Sequence, residues 1–395
     1  MTAAPAAQPG SRLAPRLAPR LALLGFLPDQ RPLPRYLCIL IDGLAEAGVE
    51  IDLLFPPGGP AGDLADDLGV SAAVQVFPLE GADDRRALGE LRSYLAERRP
   101  QAILSNRDRG SALLARVPRD ERPLTVLRIG TNVIEKLKGK PLLSRWLARR
   151  RLADVFVQAD ALIGVSAGAC AALRELLQGR VAPPIVQIYN PMDLAGFRRL
   201  AEARIDHPWL ADPGAPVIVS VGRLVRAKDY PTLIHAFALL RRRLDCRLII
   251  LGEGRQRPKL EALVRRLGLT EAVDLPGHAA NPFAYMARAR VLALSSVFEG
   301  NPNVLIEAMA VGTPCVATDC KSGPRETLGG GRFGRLVRTG DAPALAEALL
   351  QTIQGPRDPD LLGEAVRPFD RDLAIAAYLR TLGLERSATP GGKTQ

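Results

Sequence analysis

Long apolar runs are missing from this sequence. No stretch of its 395 residues approaches the roughly 20 consecutive apolar residues that cross a bilayer as a helix, so a membrane-spanning helix is not expected. The segment MTAAPAAQPGSRLAPRLAPR at the start also lacks the continuous apolar stretch and small-residue cleavage site of a secretory signal. Rich in Pro, Ala and Arg, with a short RLAP repeat, residues 1–20 read as a disordered tail with nothing to pack. Cysteines are few: Cys38, Cys170, Cys246, Cys315 and Cys320 are scattered, odd in number and mostly inside apolar runs. That argues against a disulfide framework and suits buried thiols in a reducing, cytoplasmic compartment. Cys315 and Cys320 have no second pair or nearby His to complete a zinc site, and no metal or other cofactor is expected. Histidine is scarcer still, three in all and none before His207. No zinc-finger, RRM, KH or basic-zipper pattern occurs, so nucleic acid is not an expected partner.

What is present in quantity is positive charge and alternation. A net charge of +11 favours an anionic partner, either a membrane surface or a phosphorylated substrate once nucleic acid is set aside. Hydrophobic residues at 47% and charged residues at 24% are those of a globular chain, long enough for two domains. Short β-rich runs alternate with helical patterns, as in a parallel sheet wrapped by helices. The first series of strands is predicted at 21–26, 50–55, 74–79, 102–105, 124–129, 161–166 and 185–189, and the second at 217–221, 247–251, 273–275, 291–294, 314–318 and 335–337. A connector rich in Pro and charge, 190–216, separates them. The expected organisation is α/β: a first Rossmann-like domain over 21–205, a second over 206–365, and a C-terminal helix over 366–385 packing back on the first domain.

The most informative stretch is Ser295-Ser-Val-Phe-Glu-Gly-Asn-Pro-Asn-Val-Leu-Ile-Glu-Ala-Met-Ala-Val-Gly-Thr-Pro314. A strand ends near Ser296, Gly300 permits a turn, and a helix starts at Pro302–Asn303, where proline's missing N–H costs nothing. The helix is apolar on nearly every side and should be buried, yet Glu307 sits in its middle. A carboxylate there needs polar partners: the two hydroxyls of a ribose would serve, and so would neighbouring backbone or an arginine. The free N–H groups at the helix start suit a diphosphate. Arg223 and Lys228, after the strand 217–221, are placed either to neutralise a leaving diphosphate or as solvated loop charges. Leu251-Gly-Glu-Gly-Arg255 begins like a dinucleotide fingerprint, but its third glycine position is Arg257; a tight turn approaching a ligand is the better reading.

Together, Gly222-Arg-Leu-Val-Arg-Ala-Lys-Asp229, Leu251-Gly-Glu-Gly254, the 295–314 block and Thr318-Asp-Cys-Lys-Ser-Gly-Pro-Arg-Glu326 resemble the family-4 retaining glycosyltransferases. The resemblance is dense over 217–349, looser through Val165–Gly168, Ile188–Asp193 and His207–Trp209, and thin before Ala161. It implies the GT-B architecture, two facing Rossmann-like domains with a cleft between them. It implies transfer of a hexose or N-acetylhexosamine, with retention and usually without metal, from a nucleotide diphosphate donor. The acceptor would be a glycan or polyprenyl-linked molecule of cell-surface polysaccharide synthesis. Uridine is the expected base because it is common among relatives. By the same resemblance Glu299 approaches the donor sugar and Glu307 the ribose. Arg223 and Lys228 hold the diphosphate with backbone at Asn303, Val304 and Leu305. Gly222 and Gly254 line the donor site, and Gly277 and His278 lie near the base. The first domain departs from the family: Phe26–Pro34 stands in place of a Gly-rich loop, and no His is available there, with Arg128 or Asn132 as candidate substitutes.

Three rivals remain. Gly164-Val-Ser-Ala-Gly168 matches the nucleophile elbow of a serine hydrolase, with Ser166 as nucleophile. A sugar-nucleotide epimerase would convert the donor with no acceptor, and a binding protein without catalysis would be expected to lack Glu299 or Lys228. The basic segment 136–152, with Trp146 and several leucines, reads as a peripheral contact with an anionic inner leaflet or as a solvated helix face. Asp63, Asp66 and Asp67 have metal-like composition but read as helix surface.

Overall fold

The computed structural model describes residues 18–25, 34–55, 74–79, 83–106, 108–137, 141–211 and 214–385. Asp63, Asp66 and Asp67, most of the N-terminal tail and the 26–33 segment lie outside the described residues.

Two parallel sheets organise the chain. The first contains β1 (Arg20–Leu24), β2 (Glu50–Phe55), β3 (Val74–Pro78), β4 (Ala102–Ser105), β5 (Leu124–Ile129), β6 (Ala161–Gly164) and β7 (Ile185–Gln187), in the order β3-β2-β1-β4-β5-β6-β7. The second contains β8 (Val217–Val221), β9 (Arg247–Leu251), β10 (Val273–Gly277), β11 (Val291–Leu294), β12 (Cys315–Thr318) and β13 (Arg335–Val337), in the order β10-β9-β8-β11-β12-β13. Strands such as Ala-Ile-Leu-Ser of β4 and Val-Leu-Ala-Leu of β11 are buried throughout, because helices cover both faces of a parallel sheet. In each sheet the order reverses beside a central strand, between β1 and β4 and between β8 and β11. Those switch points open a crevice at the strands' C-terminal ends.

The segment after β7 is less of a linker than its composition implies. Its helix Leu194–Ala201 packs on the second-domain helices Pro282–Arg288 and Asn303–Ala310, with Phe197 stacked on Phe283 at 4.5 Å. His207, nearly buried, contacts Asp274 Oδ2 through Nε2 at 3.1 Å. The chain then returns: Met192 N–H donates to Phe369 O and Arg371 N–H to Met192 O. The terminal helix Arg371–Thr381 packs on the first-domain helix Arg35–Glu46.

The five cysteines are free thiols, four buried and Cys38 half-buried. Burial pushes Cys246 up to about 11 and Cys320 up to about 12, which leaves them protonated and unreactive.

Candidate active site

The floor of the cleft is built by the turns that follow β8 and β9. Gly252 and Gly254, at φ +143° and +157°, let these turns touch: a Cβ would stand 2.0 Å from Gly222 O and 2.4 Å from Leu224 O. No side chain fits there. The contact is locked by bonds from Gly222 N–H to Leu251 O at 2.9 Å and from Leu224 N–H to Glu253 O at 2.8 Å. Over this floor lies a cavity of about 830 Å³ lined by Arg35, Gly222, Arg223, Gly254, Arg255, His278, Pro282 and Glu307 among others. Five residues expected from the sequence, Gly222, Arg223, Gly254, His278 and Glu307, therefore share one cavity. Gly277, at the end of β10, sits beside them, its φ of +97° turning the chain towards His278.

Glu307 occupies the expected position. Its helix, Asn303–Ala310, buries Val304, Leu305, Ile306, Ala308, Met309 and Ala310, and the Glu307 side chain is only 13% exposed. Desolvation holds its carboxyl above the ordinary value of 4.5, opposed by Arg35 and then by Lys228. Its partner is an arginine from the other domain: Arg35 Nη1 donates to Glu307 Oε1 at 3.2 Å. The sequence pattern leaves an arginine open as one possible partner of Glu307, and nothing local singles out Arg35.

Lys228 and Glu299 form the second charged element. Lys228 Nζ donates to Glu299 Oε1 at 2.6 Å, and Ser296 Oγ donates to the same oxygen at 2.5 Å. Ser295 Oγ holds the Lys228 carbonyl at 2.8 Å. The side chains are 20% and 11% exposed, so the ammonium is fixed in place and only partly hydrated. Arg223 is exposed and borders the cavity.

At the start of Asn303–Ala310 two of the three amides expected to be open, those of Asn303 and Leu305, are turned onto nearby carbonyls. Asn303 N–H donates to Asn301 O and Leu305 N–H to Pro302 O, both at 2.9 Å. The first turn is tightened onto itself, as helix ends often are.

Arg128 and Asn132, the candidate substitutes for the missing histidine, are both held by protein atoms. Arg128 is 4% exposed, lies over the Tyr36 ring at 4.6 Å, and donates to Tyr378 Oη at 3.0 Å and to Asn190 Oδ1. Asn190 Nδ2 in turn donates to Asn303 Oδ1 at 3.0 Å. Arg128 thus braces the terminal helix and, through Asn190, the helix carrying Glu307. Asn132 accepts from Ile134 N–H and Glu135 N–H at 3.1 Å, capping Val133–Leu137, and donates to Ser322 Oγ at 3.0 Å across the domains.

The hydrolase reading of Ser166 is overturned. Ser166 is 1% exposed and accepts from Ala169 N–H at 3.1 Å as the cap of helix Ala167–Leu176. A nucleophile in that role has no route to substrate. The helix start is also taken: Glu326, from the second domain, accepts from Ala167 N–H at 2.9 and 3.0 Å, from Gln187 at 2.9 Å and from Tyr189 Oη at 2.7 Å. Sequence reasoning quoted Glu326 within its motif without seeing that it joins the domains.

A cleft at the switch points of two facing doubly wound sheets, with clustered cations and a buried carboxylate at its floor, is the GT-B architecture. Comparisons with known proteins are consistent with this. HepE of Anabaena, solved with UDP, superimposes with a TM-score of 0.73 at 18% identity, covering 92% of this chain and 99% of that one. The lipopolysaccharide outer core galactosyltransferase WaaB matches with a TM-score of 0.71 at 18% identity, over 92% and 99% of the two chains. At such identities the likeness is one of fold. Family models described as "Glycosyl transferase 4-like domain" and "Glycosyl transferases group 1" match residues 33–191 and 215–355. The chain belongs to the group 1 glycosyltransferases. Among curated relatives, an N-acetylgalactosaminyltransferase of Campylobacter jejuni, acting on a diphospho-undecaprenol glycan by its name, is 34% identical over 62% of this chain and 65% of its own length. The lipopolysaccharide core biosynthesis glycosyltransferase LpsE of Rhizobium meliloti is 35% identical over 46% of this chain and 52% of its own. The chain thus spans between about half and just under two thirds of these relatives' lengths.

Proposed function

We propose that the chain is a retaining glycosyltransferase that moves a hexose or N-acetylhexosamine from a uridine diphosphate donor to a glycan or polyprenyl-linked acceptor in cell-surface polysaccharide assembly. The observation that carries this reading is the convergence of Glu307, Arg223 and the glycine floor on one cavity, with the fixed Lys228–Glu299 pair beside it. Glu307 accepts from the ribose hydroxyls. Lys228 and Arg223 neutralise charge as the diphosphate leaves. Glu299, bound to Lys228 and Ser296 on one oxygen, orients the ammonium and offers its other oxygen to the sugar. Base and diphosphate lie between His278 and the start of Asn303–Ala310, whose first turn relaxes to release amides. The relatives' names, lipopolysaccharide and diphospho-undecaprenol enzymes, support the acceptor class.

A screen of nucleotide sugars, with and without polyprenyl-diphosphate glycan acceptors, tests this. Acceptor-dependent release of UDP, lost in Glu307→Ala, is the expected result. Conversion of donor with no acceptor would favour an epimerase, and no turnover of any donor would end the proposal.

A peripheral contact with an anionic membrane is part of the same reading. Helix Leu142–Phe156 exposes Leu142, Leu143 and Trp146 at 74%, 71% and 54%, beside Arg145, Arg149, Arg150 and Arg151. Apolar side chains ringed by arginines suit the interface of an anionic leaflet. Among the described residues no helix is long and apolar enough to cross a membrane. Flotation with vesicles containing anionic lipid should recover the protein, and Leu143→Ser with Trp146→Ser should abolish that; no recovery of the unaltered protein would end the idea.

A further inference from the structure

Arg35 is placed badly for its own helix and well for the opposite domain. It is the first residue of Arg35–Glu46, which has Pro34 before it, no side-chain cap and no acid in its first turn. A cation there opposes the positive end of the helix dipole. Compensation comes from across the cleft: the guanidinium donates to Glu307 at 3.2 Å and lies over the Phe283 ring at 4.6 Å, a cation–π arrangement. Arg35 and Glu307 also line the same cavity. The carboxylate a nucleoside would need is therefore held by a side chain of the other domain.

We propose that Arg35 gates the donor site: its guanidinium holds Glu307, and a nucleoside enters by exchanging its ribose hydroxyls for that guanidinium. This rests on the donor-site reading of Glu307. The exchange makes and breaks only hydrogen bonds and one ion pair. Because Arg35 is 40% exposed, its pair is of the weak kind, and the affinity it withholds is roughly three- to sixfold. The pair is one of several contacts across the domains, beside Asn190 on Asn303, Asn132 on Ser322 and Glu326 on Ala167, so its release alone leaves the domains joined.

The test is calorimetric titration of the full chain with uridine, guanosine and adenosine, and with their diphosphates as a separate control, as the unaltered protein, Arg35→Gln, Arg35→Lys and Glu307→Ala, at low and high salt. Nucleosides are chosen because they carry no phosphate that Arg35 itself would attract. The gate predicts that Arg35→Gln binds its preferred nucleoside three- to sixfold more tightly than the unaltered protein, with Arg35→Lys between them. It also predicts that salt tightens binding to the unaltered protein and leaves Arg35→Gln unchanged, since salt weakens the pair being displaced. Equal or weaker binding by Arg35→Gln, with Glu307→Ala still destroying affinity, overturns the gate and leaves the donor site standing. Absence of binding by any nucleoside or its diphosphate to any of these proteins overturns both.

Discussion

Replacing Lys228 with Met keeps the length of the side chain and removes its charge. In the structure Lys228 Nζ has a 2.6 Å bond to Glu299 and a backbone carbonyl anchored by Ser295, so little reorganisation is needed when charge develops on a leaving diphosphate. Loss of one such fixed donor costs about 3–4 kcal/mol at the transition state, or about 10²–10³ in kcat. Stability should change far less. The pair is partly exposed, Ser296 still donates to Glu299, and about 1 kcal/mol is expected. The assay is UDP release from the best donor found by screening, with thermal unfolding followed in parallel to separate inactivity from unfolding. Combination with Glu299→Gln adds a sharper criterion. If Glu299 acts largely by holding Lys228, the double variant should be little worse than Lys228→Met alone, because coupled groups do not add. A loss below about tenfold for Lys228→Met would refute this account of the pair, and a double loss equal to the product of the single losses would assign Glu299 to the sugar alone.

Other consequences are simpler. Arg128→Met should destabilise the protein by about 2–4 kcal/mol, since Tyr378 and Asn190 lose a buried charged donor; urea unfolding checks this, and a neutral result would deny its bracing role. Ser166→Ala should cost about 1 kcal/mol through the lost cap and leave turnover intact, and a serine-directed phosphonate should not label the protein. Glu307→Gln should alter the pH dependence of stability. Because desolvation raises the folded carboxyl above 4.5, its protonated form favours folding below 4.5, and that contribution is lost as pH rises through the raised value. Glu307→Gln should therefore gain stability relative to the unaltered protein as pH rises to neutral, with the gap closing below 4.5; urea unfolding at several pH values would show a constant gap if the reasoning fails.

Much of the architecture was legible because parallel strands buried on both faces leave near-continuous apolar runs. Glu50–Phe55, Ala102–Ser105, Leu124–Ile129 and Val217–Val221 match the predicted bounds for that reason. Helix Leu194–Ala201 was hidden by the charged, proline-containing surroundings of the connector, although it rests on the second domain. In the site, Glu307 stood out as a charge inside an oily helix. Its partner did not, because Arg35 lies 272 positions away and nothing in local pattern announces a contact across domains. The same holds for Asn190 on Asn303 and Glu326 on Ala167. Ser166 shows the converse error: a strand-to-helix turn of small residues satisfies the G-x-S-x-G pattern, and only burial and the capping bond reveal its work.

The most direct measurement is a structure of the chain with UDP bound. The account predicts ribose hydroxyls on Glu307, phosphates beside Lys228 and Arg223, and Arg35 withdrawn from the carboxylate. Nucleotide found elsewhere, with Glu307 still held by Arg35, would contradict it.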